Sequence, residues 1–452
     1  MTRPFQRWTR ALGLLGSLIG GECLAQTICE AEPPGVCRYA APDGDGDGSI
    51  SAPASLADAL AQARAGDVVY LLQGTYTEMV ESGGVRAVLN LEKHVPRALP
   101  LPTAEAPLII KGYPSHQVVL QGDFSAPCVA IDRRSHYRFE DFAVRDCLNN
   151  GILLGLDIPG SDIVFRNLEI SGVRYVDNAG FLTIAGYADV LVEGVDFHDY
   201  ETLNPNGVSY FLKLFRARDV TIRGNRFHGE GGGIYYKHGE DSPGAGGRTR
   251  IIGNHFHDLS SGRGISLNQN RSEVIGNLLE GADIGLHFED GTRSPFTLAP
   301  RIAYNTLVDS RISLNEGSAS YLPGSQLGVF DARLERNLLV ASDLRIWHYG
   351  PDSQHQAGVG LQSTDNCYLR NADDAFISYF GAGGSWGAAG GTYRLADWQA
   401  EGFDAGSLRS GVALDAGYRP PAGHPCKDMG HLALARCQSG EDAAHCDGFE
   451  SR

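Results

Sequence analysis

Arg250-Ile251-Ile252-Gly253-Asn254-His255-Phe256-His257 is answered 23 residues later by Glu273-Val274-Ile275-Gly276-Asn277-Leu278-Leu279-Glu280. Each octet is a short β-branched run, a Gly-Asn pair and a second short run, the pattern of two strands joined by a tight turn. Upstream the phrase recurs as Arg166-Asn167-Leu168-Glu169-Ile170, Gly194-Val195-Asp196-Phe197 and Gly224-Asn225-Arg226-Phe227. Downstream it recurs as Tyr304-Asn305-Thr306-Leu307 and Arg336-Asn337-Leu338-Leu339. Taking Asn167, Val195, Asn225, Asn254, Asn277, Asn305 and Asn337 as equivalent gives steps of 28, 30, 29, 23, 28 and 32 residues. Such a period marks a solenoid. Asn suits the turn because it tolerates left-handed φ, and its amide can bond the same group one coil away.

A further strand follows each phrase: Gly233-Ile234-Tyr235-Tyr236-Lys237, Gly264-Ile265-Ser266-Leu267-Asn268, Ile284-Gly285-Leu286-His287 and Ile312-Ser313-Leu314-Asn315. Apolar and polar residues alternate, so one face is buried and the other meets water. No helix-period segment separates the strands, which excludes a βαβ sheet. The expected architecture is an all-β parallel β-helix of roughly ten coils in one domain. Ser55-Leu56-Ala57-Asp58 reads as a capping box. It opens a helix over residues 55–66, with Leu56, Ala59, Leu60 and Ala63 on one face and Gly66 at its end. This helix is expected to plug the first coil, starting at Asp67-Val68-Val69-Tyr70-Leu71. The coils are expected over residues 67–350. An irregular capping region follows over 351–419, with a short helix at Leu395 to Ala400, then a cysteine-containing tail over 420–452.

Residues 1–25 read as an export signal: Arg3, Arg7 and Arg10, an apolar stretch from Ala11 to Gly21, and Cys23-Leu24-Ala25 before Gln26. Nothing else approaches a membrane span. Residues 26–54 read as a flexible acidic leader. Its Asp43-Gly44-Asp45-Gly46-Asp47-Gly48 run lacks the bidentate Glu of an EF-hand, because Ala54 stands at the twelfth position. The net charge is −16, and losing three arginines and Glu22 with the signal takes it to −18. That balance excludes nucleic acid as the partner and requires a polyanion to be met by a local basic cluster or a bound cation. Eight cysteines remain after cleavage, an even number in an exported chain, so disulfides are expected. Cys29–Cys37, Cys128–Cys147 and Cys437–Cys446 are near enough in sequence to pair.

The helix followed by Ala65-Gly66-Asp67-Val68-Val69 and Gly74-Thr75-Tyr76 resembles the opening of the pectate-lyase-like superfamily, over about residues 40–410. The resemblance implies a right-handed parallel β-helix. It implies no single reaction, because lyases, hydrolases, epimerases, adhesins and tailspikes share the fold.

Stacking the strands with Ile234, Ile265, Ile284 and Ile312 inward yields two outward columns. One holds Lys213, Tyr235, Ser266, Gly285, Ser313 and Arg345. The other holds Lys237, Asn268, His287 and Asn315. Adjacent coils lie ~4.8 Å apart, so Lys237 and His287 are expected about 10 Å apart with Asn268 between them. That span fits one or two sugar rings. β-Elimination from a uronic acid needs a neutralised carboxylate, a base for the C5 proton and an acid for the leaving oxygen. The catalytic candidates are Lys237, His287, Tyr235 and His238. Asn268, Lys213, Arg263 and Arg345 are the substrate-binding candidates. An outward lysine also keeps a solvated wall soluble, and that bland reading weighs equally here.

Ile234-Tyr235-Tyr236-Lys237-His238 also resembles the lysine strand of chondroitinase B and alginate lyases, which implies a cation held by nearby carboxylates. Glu230, with Glu289 and Asp290, would then be the Ca²⁺ ligands. This chain departs from that pattern: Asn268, not arginine, faces Lys237, and a second carboxylate position falls on Gly232. Arg263 or Arg271 would substitute. The leading expectation is a secreted, monomeric polysaccharide lyase acting on an acidic polysaccharide. The alternatives are a hydrolase using Glu289 with Asp290 or Glu240, and a protein that only binds glycan.

Overall fold

The computed structural model describes residues 29–31, 35–96, 100–155, 160–175, 180–203, 209–237, 247–287, 296–314, 328–347, 360–370, 374–380, 391–411 and 414–432. Three sheets of twelve strands each run side by side along the coil axis. The first sheet starts at Cys37–Ala40, the second at Gly74–Tyr76 and the third at Leu89–Asn90. Their strands pair parallel with the equivalent strand one coil on, as Ile251 does with Val274 and Phe227 with Phe256, except that Gly391–Tyr393 closes the third sheet antiparallel to Ile377–Phe380. The coils therefore number about twelve rather than ten.

Alternation puts every second side chain into the barrel, where identical positions stack. The rings of Phe197, Phe227 and Phe256 lie 4.8 and 4.7 Å apart and nearly parallel. Ile234, Ile265, Ile284 and Ile312 form a second buried column. Burying each such side chain contributes about 1.5–3 kcal/mol.

The corner between the first and second sheets carries a ladder of buried asparagines. The Nδ2 of Asn225 donates to Oδ1 of Asn254 at 2.9 Å, and the pattern repeats through Asn277, Asn305, Asn337 and Asn366. Each Oδ1 also accepts the backbone N–H of the preceding asparagine, for example Asn254 N to Asn277 at 2.9 Å. The left-handed residue is the one before each rung, such as Gly224, Gly253, Gly276, Tyr304 and Arg336. This corrects the expectation that Asn supplies the positive φ. Asn167 does adopt it, at φ 51°, and Glu169 pairs with Asp196. Asn167 thus aligns with Gly194, one place from its assumed equivalent. The last rung ends on Asp404, whose Oδ1 accepts from Asn366 Nδ2 at 3.0 Å and from Ser363 Oγ at 2.7 Å.

The leader is folded where the structure describes it. Cys37–Ala40 pairs with Val68–Leu71, so the coil begins before the helix. The acidic run is pinned by backbone bonds, Gly46 N to Pro53 O at 2.9 Å and Gly48 N to Ala52 O at 3.0 Å. A Cβ on Gly44 or Gly46 would stand 2.2 Å from a carbonyl oxygen of the returning chain. These glycines allow close approach of two chain segments, which a flexible leader does not require. The helix covers Leu56–Gln62, capped by Ser55, and ends early because Ala63 is extended. Coils also continue past residue 350: Gln362–Thr364 pairs with Arg333–Glu335, and Cys367–Leu369 with Leu338–Val340. Asn366 follows Asn337 by 29 residues, so the period itself continues into this coil. The short helix Leu395–Ala400 is present and buries Leu395 and Trp398.

Disulfides join Cys29–Cys37 and Cys128–Cys147 as expected, and Cys367–Cys426. Cys437 and Cys446 lie outside the described residues, as does the export signal. Among the described residues no helix is long and apolar enough to cross a membrane.

Asn305→Ala removes one acceptor used twice and one donor used twice. A loss of about 3–5 kcal/mol is expected, since the buried groups left behind have no substitute. Urea unfolding measures it; a loss under about 1 kcal/mol would show that the ladder is incidental.

Candidate functional site on the outer wall of the third sheet

The three outer walls differ in charge pairing. The first sheet carries an ion-pair ladder: Lys111–Glu140, Arg166–Glu140, Arg166–Glu193 and Arg223–Glu193, at 3.6, 3.1, 2.9 and 2.6 Å. Arg250–Glu273 and Arg301–Glu335 continue it. The second sheet carries stacked imidazoles of His198, His228 and His257, 5.2 and 5.0 Å apart, tied to Asp199, Asp196 and Asp258. Most of the cations named on these walls lie against carboxylates, and the third sheet has one such pair of its own among the described residues, Arg311–Asp283 at 3.5 Å.

The third wall differs. The pairings Lys213–Tyr235, Tyr235–Ser266, Ser266–Gly285, Gly285–Ser313 and Ser313–Arg345 set one outward column in the order the alternation implied. Lys237 ends its strand, half-buried, and forms no ion pair among the described residues. Tyr235 stacks on His287 at 5.7 Å and on Tyr210 at 4.6 Å. Arg263, at the start of Arg263–Leu267, donates to the Tyr210 hydroxyl at 3.1 Å. Lys237, Arg263, Tyr235 and His287 are thus brought together across three successive coils, Tyr210 joining them from the coil before.

His287 is buried and neutral. Burial lowers its pKa from 6.5 to about 4, and the nearby charges of Arg263 and Lys237 push it the same way. Its Nδ1 shares a hydrogen bond with Ser266 Oγ at 3.2 Å. Nε2 has no partner.

Asn268 does not face outward. It is fully buried, with Nδ2 donating to the His287 carbonyl at 3.3 Å and toward Thr297 Oγ1 at 3.4 Å. The strand ends at Leu267, so alternation no longer governs the next residue. Lys213 keeps its outward register but is covered, only 7% exposed. Arg345 is half-buried at the far end of the column, and Arg271 stands exposed in a turn with φ 54°. Glu230 is exposed, and no three potential ligands gather to hold a metal among the described residues. His238, Glu240, Asp241, Glu289, Asp290 and Asn315 lie outside the described residues.

Two contributors escape sequence reasoning. Tyr210 opens the strand Tyr210–Phe215 opposite Gly232, where a Cβ would stand 2.7 Å from its ring. A tyrosine aligned with a glycine one coil on was the available signal. Thr297, whose hydroxyl donates to the His287 carbonyl at 2.7 Å, gave none.

Residues 127–298 match the family model of the right-handed β-helix region, which agrees with the coil. Comparison with curated proteins finds no significant match. Among solved structures, a pectate lyase is 16% identical, aligned over 68% of this chain and 76% of its own, with a TM-score of 0.43. A surface adhesin of Streptococcus pneumoniae is 12% identical over 82% and 92%, TM-score 0.40. A PL6 polysaccharide lyase from Pseudopedobacter saltans is 15% identical over 80% and 92%, TM-score 0.36. Lyases and an adhesin stand side by side here, and these likenesses select no reaction.

The state of His287 has a stability consequence. Its folded pKa lies below its unfolded value, so its contribution is complete above pH 6.5 and is lost as pH falls toward 4. The loss at the lower limit is on the order of 3 kcal/mol. Urea unfolding of wild type and His287→Gln across this range should show a shallower pH slope for the variant. Parallel slopes would mean that the ring titrates as in water.

Proposed function

We propose that this right-handed parallel β-helix is an exported polysaccharide lyase, and that the outer wall of its third sheet takes the acidic sugar. The observation that carries this reading is Lys237, which forms no ion pair among the described residues and stands near Arg263, Tyr235 and a neutral His287, in a chain of net charge −16. Three disulfides support an oxidising compartment.

In this reading Arg263 neutralises the uronate carboxylate, which acidifies the C5 proton. Lys237, reacting as its neutral amine, accepts that proton and becomes the ammonium. The C4–O bond breaks as the C4–C5 double bond forms, and the Tyr235 hydroxyl protonates the leaving oxygen. His287, neutral at neutral pH, serves as a hydrogen-bonding group and not as an acid. Any Ca²⁺ would need ligands beyond the described residues. A binding-only role is the second reading. It is favoured by the buried Asn268, which leaves no cation in register with Lys237 on the next coil.

Alginate, pectate and glycosaminoglycans, each with and without Ca²⁺, separate these. A lyase raises the ultraviolet absorbance of its conjugated product. A hydrolase yields new reducing ends without that absorbance, and neither signal leaves binding alone. Lys237→Ala should lower lyase turnover at least ~100-fold with unchanged thermal stability, as expected for loss of a general base. Full activity in that variant removes Lys237 from the chemistry.

A further inference from the structure

Arg263 is the cation that the proposed reaction sets against the substrate carboxylate, and two features outside that reaction fix where it points. The first is a break in its strand. Counted by alternation from the inward Ile265, Arg263 would face the barrel; it is exposed instead. The pairing with the next coil shifts at this point: Arg263 stands opposite Asp283, and Ile265 opposite Ile284. Gly264 is left as the extra residue of a β-bulge, a device that re-aims a side chain. A Cβ on Gly264 would stand 2.9 Å from the Leu279 side chain and 3.1 Å from that of Ala282.

The second feature is Tyr210. It lies two coils before Arg263, since Tyr210–Phe215 pairs with Gly232–Lys237 and that strand pairs with Arg263–Leu267. The Tyr210 hydroxyl reaches across the intervening coil and accepts from Arg263 Nη1 at 3.1 Å. The crossing needs room. Gly232 is the register partner of Tyr210, and a Cβ there would stand 2.7 Å from the tyrosine ring. The ring stacks on Tyr235 at 4.6 Å and 12°, and Tyr210 is only 4% exposed. A phenol fixed by packing thus holds one end of an exposed arginine. Arginine side chains carry large rotamer entropy, and a bond to a rigid partner removes part of that freedom before a ligand arrives. The bond uses one of the five N–H donors of the guanidinium. The charges of Arg263 and Lys237 both reach His287, so the two cations share one stretch of the third wall.

We propose that Tyr210 is a positioning residue: it latches Arg263 over the third wall, so that the guanidinium meets the carboxylate of an acidic sugar already ordered. The inference rests on the third wall being an acidic-polysaccharide site. Tyr210 acts through Arg263 and touches neither the sugar nor the reacting atoms.

The test has two readouts on the whole protein. The first needs no ligand. With isotope-labelled arginine, the Nε–H relaxation of Arg263, assigned by its loss in Arg263→Ala, reports side-chain order. Tyr210→Phe keeps the ring and removes the hydroxyl. Arg263 should become mobile in that variant, while the melting temperature and the other arginine signals stay unchanged. The second readout is calorimetric binding of galacturonate, mannuronate and guluronate tetramers to wild type, Tyr210→Phe, Arg263→Ala and the double variant. Tyr210→Phe should weaken the preferred tetramer roughly fivefold, and Arg263→Ala at least ~tenfold. Once Arg263 is alanine, Tyr210→Phe should cost nothing further, whereas a loss of general packing would still add its own effect. If Arg263 stays ordered in Tyr210→Phe, or the two losses multiply, the positioning role fails with the wall's role intact. If no tetramer binds wild type, or Arg263→Ala binds as wild type does, the wall's role fails and the latch's purpose with it.

Discussion

A buried side-chain amide has to be satisfied on both its donor and its acceptor side. In this protein each rung of the asparagine ladder meets that demand with the identical group one coil away. The requirement propagates: a coil that shifted by one residue would orphan amide groups on itself and on both neighbours. The ladder therefore locks the corner between the first and second sheets, and the inward side chains stack in register behind it. It is terminated by a buried carboxylate, Asp404, with Ser407 Oγ accepting the last backbone N–H at 2.7 Å. The outer columns inherit this registration, and that is how residues far apart in the chain become a surface.

The same registration explains why the walls differ. Residues facing outward at one height sit about one strand spacing from their counterparts, close enough for charge pairs and ring stacks. On the first wall opposite charges alternate from coil to coil and satisfy each other. On the second, histidines stack and lean on aspartates. A polyanion approaching either would have to displace carboxylates already in contact with the cations. The third wall instead lines up tyrosines, hydroxyls, a glycine and cations with few acidic neighbours.

Burial reassigns several of those groups. A neutral His287 behind Lys237 and Arg263 is a poor proton donor at neutral pH, because its pKa is held near 4. It is well suited to a fixed hydrogen bond. Asn268 contributes from behind by bracing that histidine.

Local chemistry was enough for the repeat, the inward Ile and Leu columns, the outward order Lys213, Tyr235, Ser266, Gly285, Ser313, Arg345 and two of the disulfides. Each of these follows from period, alternation or short sequence separation, which a linear chain displays. It was also enough to single out Asn as the corner residue, though the positive φ falls one place earlier. Tertiary structure alone decided what happens where strands stop. Asn268 turns inward one residue after its strand ends, His287 is buried against rings from neighbouring coils, and Tyr210 reaches over Gly232. The distant Cys367–Cys426 pair belongs to the same class. Alternation has force only while the hydrogen-bonded ladder continues; past its last bond, side-chain direction depends on which neighbours are near, and proximity between coils is written in no single stretch of the chain.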